Sequence, residues 1–294
     1  MKTALLDRLP NSHKVDKFYY SRYRIRMINR CEYACSIGSK GEMPVNRTSR
    51  TTPATRAGQR PRPVHGARIG IMVLDTEFER IPGDIGNAAS FDFPVQYKVV
   101  RGASADKVIA GGGEGLLEPF LEAADELVAS GVDAIGTSCG FLSVFQKELA
   151  ARCPVPIATS SIMQVPFVQS MLPAGKRVGI VTYDAQSLTD RHFLAIGVDP
   201  ATPKAGLPEN SEFRRAVGGG WRQLNEAVLL EETLDVGKKL LGHHPDVGAI
   251  VIECGNMPPY SAELARHLGV PVYDVVTLVN WLHSGLRPQR FPRY

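Results

Sequence analysis

The chain has 294 residues, of which 44% are hydrophobic and 22% charged. This composition excludes a wholly disordered, collagen-like or coiled-coil protein. No apolar run approaches the roughly 18 residues that a membrane-spanning helix needs, so we expect a soluble, cytoplasmic protein with no membrane partner. Its five cysteines are an odd number spread thinly over the chain, which does not indicate a secreted disulfide framework.

Positive charge is concentrated at the amino-terminal end. Residues 1–66 contain 14 Lys and Arg against 4 Asp and Glu, whereas residues 67–294 contain 20 against 26. We therefore predict that 1–66 is a basic, disordered extension; a targeting presequence and a start codon assigned too early both remain open. The mildly acidic remainder offers no cationic groove, so we expect no nucleic-acid partner.

From residue 67 onward, short apolar runs typical of strands alternate with helical segments. This alternation predicts an α/β fold in which parallel sheets are flanked by helices. The predicted elements, in chain order, are a strand at 68–75, a helix at 116–131, a strand at 132–138, a strand at 177–184, a helix at about 222–242 and a strand at 246–253.

The second half of this region repeats the first. Residues 134–157 align without gaps on 249–272, with nine of 24 positions identical, including Cys139 with Cys254. We therefore predict two pseudo-symmetric lobes with the active site in the cleft between them. The predicted first lobe comprises 67–163 together with 274–294, and the second comprises 164–273.

Each aligned cysteine follows a strand and precedes a glycine and a helical segment. This position is the carboxyl end of a parallel sheet, where open α/β sheets bind ligands, and a helix N-terminus there lowers a thiol pKa and binds carboxylates. Two opposed thiols, Cys139 and Cys254, can remove a proton from one face of a carbon acid and return one to the other. Backbone N–H groups around Gly140–Phe141 and Gly255–Asn256 would stabilise the intermediate. This scheme requires no cofactor and no metal.

Three segments resemble the aspartate/glutamate racemase superfamily, which includes hydantoin racemases, maleate isomerase and arylmalonate decarboxylase. They read GIMVLD ending at Asp75, TSCG at 137–140 and ECGNMPPY at 253–260. The resemblance covers about 67–294 and implies a cofactor-independent site between two α/β lobes, with Cys139 and Cys254 as the catalytic pair. It implies an isomerase, a racemase or epimerase acting at the carbon next to a carboxylate or carbonyl of an amino acid or derivative.

The residues after the cysteines depart from the pattern of the amino-acid racemases in this family. Those enzymes usually place Asn-Thr after the first cysteine and Thr-His or Thr-Glu after the second, whereas this chain has Gly140-Phe141 and Gly255-Asn256. Phe141 would suit a hydantoin-like or arylated substrate. Further candidates for binding a small carboxylate or carbonyl substrate stand at strand ends and on the loop 80–87; they are Asp75, Thr76, Asn87 and Thr182.

Several alternatives remain open. Arylmalonate-type decarboxylation, maleate-type cis-trans isomerisation and non-catalytic ligand binding suit the same scaffold. GTSCG at 136–140 also fits the serine-hydrolase pattern, with Ser138 as nucleophile and residues such as Asp246 and His267 as partners. Cys153 is interpreted as an apolar filler. The sequence does not specify whether the chain forms a homo-oligomer.

Overall fold

The computed structural model describes residues 62–220 and 223–292. Most of the predicted basic extension, residues 1–61, lies outside the described residues. Arg62 forms an ion pair with Asp133 at 2.6 Å, and the Val64 amide donates to the Ser130 carbonyl at 3.3 Å. The chain therefore contacts the first lobe before the predicted boundary at residue 67.

Two four-stranded sheets form the centre of the described structure, and every pairing within them is parallel. The first sheet has the order β2-β1-β3-β4 and the second β6-β5-β7-β8. The strands are β1 Ile69–Leu74, β2 Val95–Val100, β3 Ala134–Thr137, β4 Ile157–Ala158, β5 Arg177–Thr182, β6 Lys204–Gly206, β7 Val247–Ile252 and β8 Val272–Tyr273. The predicted α/β fold with two similar lobes is confirmed, and the four predicted strands are the central pair of each sheet.

Helices flank both sheets. They are α1 Ala105–Ile109, α2 Leu117–Ser130, α3 Gln146–Arg152, α4 Val165–Met171, α5 Asp190–Ala195, α6 Glu212–Gly219, α7 Glu226–His243, α8 Ser261–Leu268 and α9 Val275–Leu286. Both predicted helices are present, as α2 and α7. Helix α9 follows the last strand of the second sheet but packs Val275 and Val279 against Ile69 and Ile71 of β1, so its apolar face covers the first sheet.

Helix α2 illustrates how the local sequence fixes these elements. Phe120, Leu121 and Leu127 are buried in the core, and Gly131 ends the helix with a φ of 110°. Glycine adopts this left-handed conformation without the steric cost of a Cβ. Within residues 62–220 and 223–292, no helix combines the length and apolarity that a bilayer crossing requires.

Candidate active site

The turns that carry the two predicted cysteines pack against each other across the lobes. A Cβ added at Gly140 would lie 2.6 Å from Glu253 Oε1 and 2.7 Å from the Glu253 carbonyl oxygen. In the reciprocal contact, a Cβ at Gly255 would lie 2.3 Å from the Ser138 carbonyl oxygen. The glycine after each cysteine therefore contacts the residue that precedes the other cysteine, and no larger residue fits at either glycine.

Both thiols face one narrow cavity. Cys139 and Cys254 are 8% and 6% exposed, and they line a cavity of about 30 Å³ together with the rings of Phe78, Phe141 and Tyr183. Burial, and after it the nearby Glu253 carboxylate, raises the pKa of both thiols well above the ordinary value for cysteine. Each thiol thus keeps its proton unless another group in the cavity changes its charge.

The Cys254 thiol has a fixed hydrogen-bond acceptor. Its sulfur donates to Asn256 Oδ1 at 3.8 Å, and Asn256 Nδ2 donates to Asp84 Oδ2 at 2.8 Å. A carboxylate can only accept, so Asp84 holds the Asn256 amide with its oxygen towards the sulfur. This chain of bonds favours the protonated form of Cys254.

Cys139 differs from Cys254 in its side-chain partners but not in its backbone partner. The Phe141 N–H lowers the pKa of Cys139, and the Asn256 N–H lowers the pKa of Cys254 in the same way. The Phe141 N–H also lowers the pKa of Glu253. No side-chain acceptor corresponding to Asn256 contacts the Cys139 thiol among the hydrogen bonds of the described residues. Of the two thiols, Cys139 is therefore the one whose proton is not held by a side-chain acceptor in the described structure.

Glu253 is a buried carboxyl directly behind the thiols. It is 1% exposed, its Oε2 accepts the Thr182 hydroxyl at 2.7 Å, and burial raises its pKa to about 7. The Tyr183, Gly140 and Phe141 amides act in the opposite direction, lowering this pKa. In the first lobe the matching residue is Ser138, whose Oγ accepts the Leu74 amide at 3.1 Å. The two halves of the site therefore differ by a hydroxyl in one and a carboxyl in the other.

Arg80 supplies positive charge to the cavity. Its Nη1 bonds to Asp84 Oδ1 at 2.9 Å, its Nη2 donates to Thr76 Oγ1 at 2.9 Å, and the guanidinium lies 4.3 Å from the centre of the Phe78 ring. Among the described residues that line this cavity, Arg80 is the one Lys or Arg. A guanidinium in this position can bind a substrate carboxylate.

The loop that carries Arg80 closes over the second lobe. Gly83 has a φ of 102°, and a Cβ there would lie 2.8 Å from Pro259 Cα. The Ile85 amide donates to the Gly255 carbonyl at 3.1 Å. A glycine is required at residue 83 both for its conformation and for this close approach.

A larger chamber adjoins the thiol cavity. It has a volume of about 740 Å³ and shares Thr76, Phe78, Ala105 and Val217 with the inner cavity. Its described lining includes four acidic side chains and no Lys or Arg; the acidic residues are Asp75, Glu77, Glu79 and Asp106. The chamber therefore favours cations over anions.

The predicted substrate-binding residues lie in different places. Thr76, Phe141, Gly255 and Asn256 line the inner cavity, and Gly140 packs directly behind it. Asp75 lines the outer chamber and accepts the Gly102 amide at 2.9 Å.

Two of the predicted binding residues serve other partners. Thr182 is fully buried and bonds to Glu253. Asn87 lies outside both cavities, where its Nδ2 donates to the Arg80 carbonyl at 2.7 Å and its Oδ1 accepts the Ala89 amide. Asn87 thus shapes the loop that presents Arg80.

The serine-hydrolase alternative lacks an assembled triad. Ser138 Oγ bonds to the Leu74 amide, Asp246 pairs with Arg177 at 2.6 Å, and His267 bonds to the carbonyl of Glu263. In the described part of the chain, no group of three or more His, Cys, Asp or Glu residues is arranged to hold a metal ion.

Comparison with known proteins finds curated relatives that are all named as dimethylsulfoniopropionate lyases. The chain is 28% identical over 231 residues to a dimethylsulfoniopropionate lyase of Durusdinium sp. clade D, covering 74% of this chain and 75% of that protein. It is 26% identical over 227 residues to dimethylsulfoniopropionate lyase 3 of Emiliania huxleyi (strain CCMP1516), covering 74% and 59% of the two chains. No protein-family model matches the chain.

Solved structures share the two-lobed architecture. Arylmalonate decarboxylase superposes with a TM-score of 0.51 at 15% identity, covering 76% of this chain and 95% of that one. Allantoin racemase from Klebsiella pneumoniae gives a TM-score of 0.51 at 19% identity, covering 74% and 87%. The chain has the fold of the aspartate/glutamate/hydantoin racemase superfamily. The predicted resemblance is confirmed at the level of the fold.

The predicted reaction class requires correction. We expected an isomerase, but the curated relatives are lyases, so the prediction of an isomerase is wrong. The superfamily fold is shared by racemases and a decarboxylase, and therefore does not by itself determine which bond forms or breaks after proton removal.

Sequence reasoning missed two residues of the cavity, Arg80 and Glu253, as functional candidates. Glu253 had a signal, because it interrupts an otherwise apolar strand end and aligns with Ser138 in the repeat. Arg80 lies on the loop 80–87 that the sequence singled out, but its own role was not predicted; it bonds to Asp84 and Thr76, each four residues away in the sequence.

Proposed function

We propose that this chain is a lyase that eliminates dimethyl sulfide from dimethylsulfoniopropionate or a closely similar β-sulfonio carboxylate. The proposal is carried by one difference between two thiols on one cavity: Cys254 bonds to a side-chain acceptor, and no hydrogen bond among the described residues gives Cys139 one. Elimination of a neutral sulfide needs one base and no acid for the leaving group. The relationship to dimethylsulfoniopropionate lyases supports this choice.

In the proposed reaction, the Cys139 thiolate removes a proton from the carbon next to the substrate carboxylate. The electron pair of that C–H bond forms the new double bond, and the electron pair of the adjacent C–S bond leaves with sulfur. Cys139 ends protonated, and the products are dimethyl sulfide and acrylate. The Cys254 S–H turns from Asn256 Oδ1 to the substrate carboxylate and donates a hydrogen bond to it as negative charge develops there.

The inner cavity of about 30 Å³ is smaller than this zwitterion, so the substrate would extend into the adjoining chamber, and the two spaces together suit its two ends. Arg80 faces the cavity as the partner for the carboxylate, and Phe141 on the cavity lining is the aromatic partner for the sulfonium cation. The rings of Phe78 and Tyr183 already have the guanidinium groups of Arg80 and Arg214 over them. The acidic chamber with Asp75 and Asp106 favours approach of the cationic end. A dicarboxylate such as glutamate or malonate is disfavoured by the same charges.

The test uses the whole chain with dimethylsulfoniopropionate, following dimethyl sulfide by gas chromatography and acrylate by proton NMR. Dimethylsulfonioacetate is the matched control substrate, because it has no carbon at which elimination can occur. We expect sulfide and acrylate in equal amounts from the first compound and none from the second. Absence of sulfide, with carbon dioxide released from phenylmalonate instead, would refute the assignment and favour decarboxylation.

Replacement of Arg80 by lysine is expected to raise the KM for dimethylsulfoniopropionate about tenfold or more. A charge-assisted hydrogen bond to a carboxylate is worth about 1.5–3 kcal/mol, and lysine cannot reproduce the two-point geometry of a guanidinium. The measurement compares KM for the carboxylate substrate and for its methyl ester.

The ester lacks the carboxylate charge, so the variant and the natural chain should differ little on it. Arg266→Lys is the matched control, because Arg266 is exposed and pairs with Glu263. An equal penalty on acid and ester would contradict the role of Arg80 in carboxylate binding.

A further inference from the structure

Glu253 is a third acidic group on the lining of the cavity that the two thiols share. It is buried, it precedes Cys254 in the chain, and its Oε1 packs on Gly140, the residue after Cys139. Cys139, Cys254 and Glu253 line one cavity of about 30 Å³. Among the described residues, Glu253 Oε1 has no hydrogen-bond partner. A thiol and an unpartnered carboxyl oxygen on a cavity of this size can exchange a proton directly or through one water.

The charges around Glu253 limit how many negative charges the cavity can hold. The other ionisable groups on its described lining are Cys139, Cys254, Tyr183 and Arg80. Arg80 is paired with Asp84 at 2.9 Å, and the Tyr183 hydroxyl donates to the Arg214 carbonyl at 3.1 Å. Burial of two unpaired negative charges side by side is strongly unfavourable.

We propose that Glu253 and the two thiols share a single negative charge, so that the proton leaving the Cys139 thiol passes to the Glu253 carboxylate. In this step the S–H bond breaks, an O–H bond forms on Glu253, and the charge moves from oxygen to sulfur. The cavity has one negative charge before and after the transfer. Glu253 is thus a positioning residue that acts through Cys139.

This arrangement sets the fraction of Cys139 that is thiolate and limits it above pH 7. Burial and the Glu253 charge raise the pKa of Cys139 far above neutrality, so loss of its proton to solvent would leave two buried charges. Transfer to Glu253, whose pKa burial raises to about 7, avoids the second charge. Thiolate formation then no longer depends on pH once Glu253 has lost its own proton.

The test measures the pH dependence of thiol alkylation, which needs no substrate. The whole chain reacts with iodoacetamide from pH 6 to pH 9, and peptide mass spectrometry gives the rate at each cysteine. In the natural chain, the Cys139 rate should rise about tenfold per pH unit to about pH 7 and then level off. In Glu253→Gln it should continue to rise, because glutamine cannot ionise.

The two chains should therefore agree at pH 6, and the variant should react about tenfold faster at pH 8 and about a hundredfold faster at pH 9. Cys153, which lies outside the cavity, serves as the internal standard and should react alike in both. Glu263→Gln, which removes an exposed carboxylate, is the matched control and should reproduce the natural profile.

Parallel profiles in the natural chain and Glu253→Gln would overturn the proposal. Failure of Cys139 to react at any pH in the natural chain while it reacts in Glu253→Gln would also overturn it, because the reagent would then reach the thiol and no thiolate would form beside Glu253. The pH profile of kcat for sulfide release is the second readout and should show the same levelling above pH 7. Because alkylation needs no substrate, this test decides the proposal even if the chain does not act on dimethylsulfoniopropionate.

Discussion

Serine in place of Cys139 is expected to lower the rate of sulfide release about a thousandfold, whereas serine in place of Cys254 lowers it only about tenfold. General base catalysis contributes about 10²–10⁴-fold, and a serine hydroxyl is too weak an acid to form the required anion. At Cys254 the proposed role is hydrogen-bond donation, which serine retains. Loss of part of one hydrogen bond costs about 1 kcal/mol, or somewhat less than tenfold in rate.

The measurement is kcat for both variants with dimethylsulfoniopropionate, with Cys153→Ser as the matched control. Cys153 is half-buried at the end of α3 and lines neither cavity, so its replacement should leave kcat unchanged. Equal thousandfold losses at Cys139 and Cys254 would contradict the unequal roles and indicate two acid–base groups. Circular dichroism of each variant establishes that the fold is intact.

Alanine in place of Gly255 is expected to lower the free energy of unfolding by about 2 kcal/mol and the rate of catalysis about a hundredfold. The new Cβ would lie 2.3 Å from the Ser138 carbonyl oxygen and 2.9 Å from Ile85 Cγ2. Backbone cannot move aside as a flexible side chain does, so the two cysteine turns must separate. Overpacking typically costs about 1–3 kcal/mol, and a displacement of about 1 Å at a reacting group can cost about a hundredfold in rate.

Urea unfolding and kcat measure these two effects. Gly242→Ala is the matched control, because Gly242 lies in α7 and a Cβ there meets no atom within 4 Å. Alanine at residue 242 should leave kcat unchanged and stabilise the helix by about 0.5–1 kcal/mol. A Gly255→Ala chain with natural stability and activity would show that the cysteine turns are not in close contact.

The sequence predicted the architecture because the relevant signals are local. Apolar runs and helical periodicity located the central strands of both sheets, and the alignment of Cys139 with Cys254 placed one thiol at the same strand end in each lobe. The short edge strands β4 and β8 were not predicted, since two residues of extended chain leave no pattern of their own.

The chemistry of the site was harder to predict, since it depends on contacts between distant segments. The bond from Asn256 to Asp84 joins residues 172 positions apart, and no spacing rule indicates it. The reaction class could not be read from the thiols, because racemisation and elimination both begin with proton removal next to a carboxylate. The two reactions are distinguished by a leaving group, which belongs to the substrate.

The difference between Ser138 and Glu253 has a consequence for stereochemistry. Two lobes with equivalent residues behind their cysteines would present similar groups to the two faces of a substrate. A hydroxyl in one half and a carboxyl in the other make the two sides of the cavity unequal, which favours proton removal from one side. One change in an inherited repeat would thus be enough to select one of two hydrogens on the same substrate carbon, while the equilibrium of the reaction stays the same.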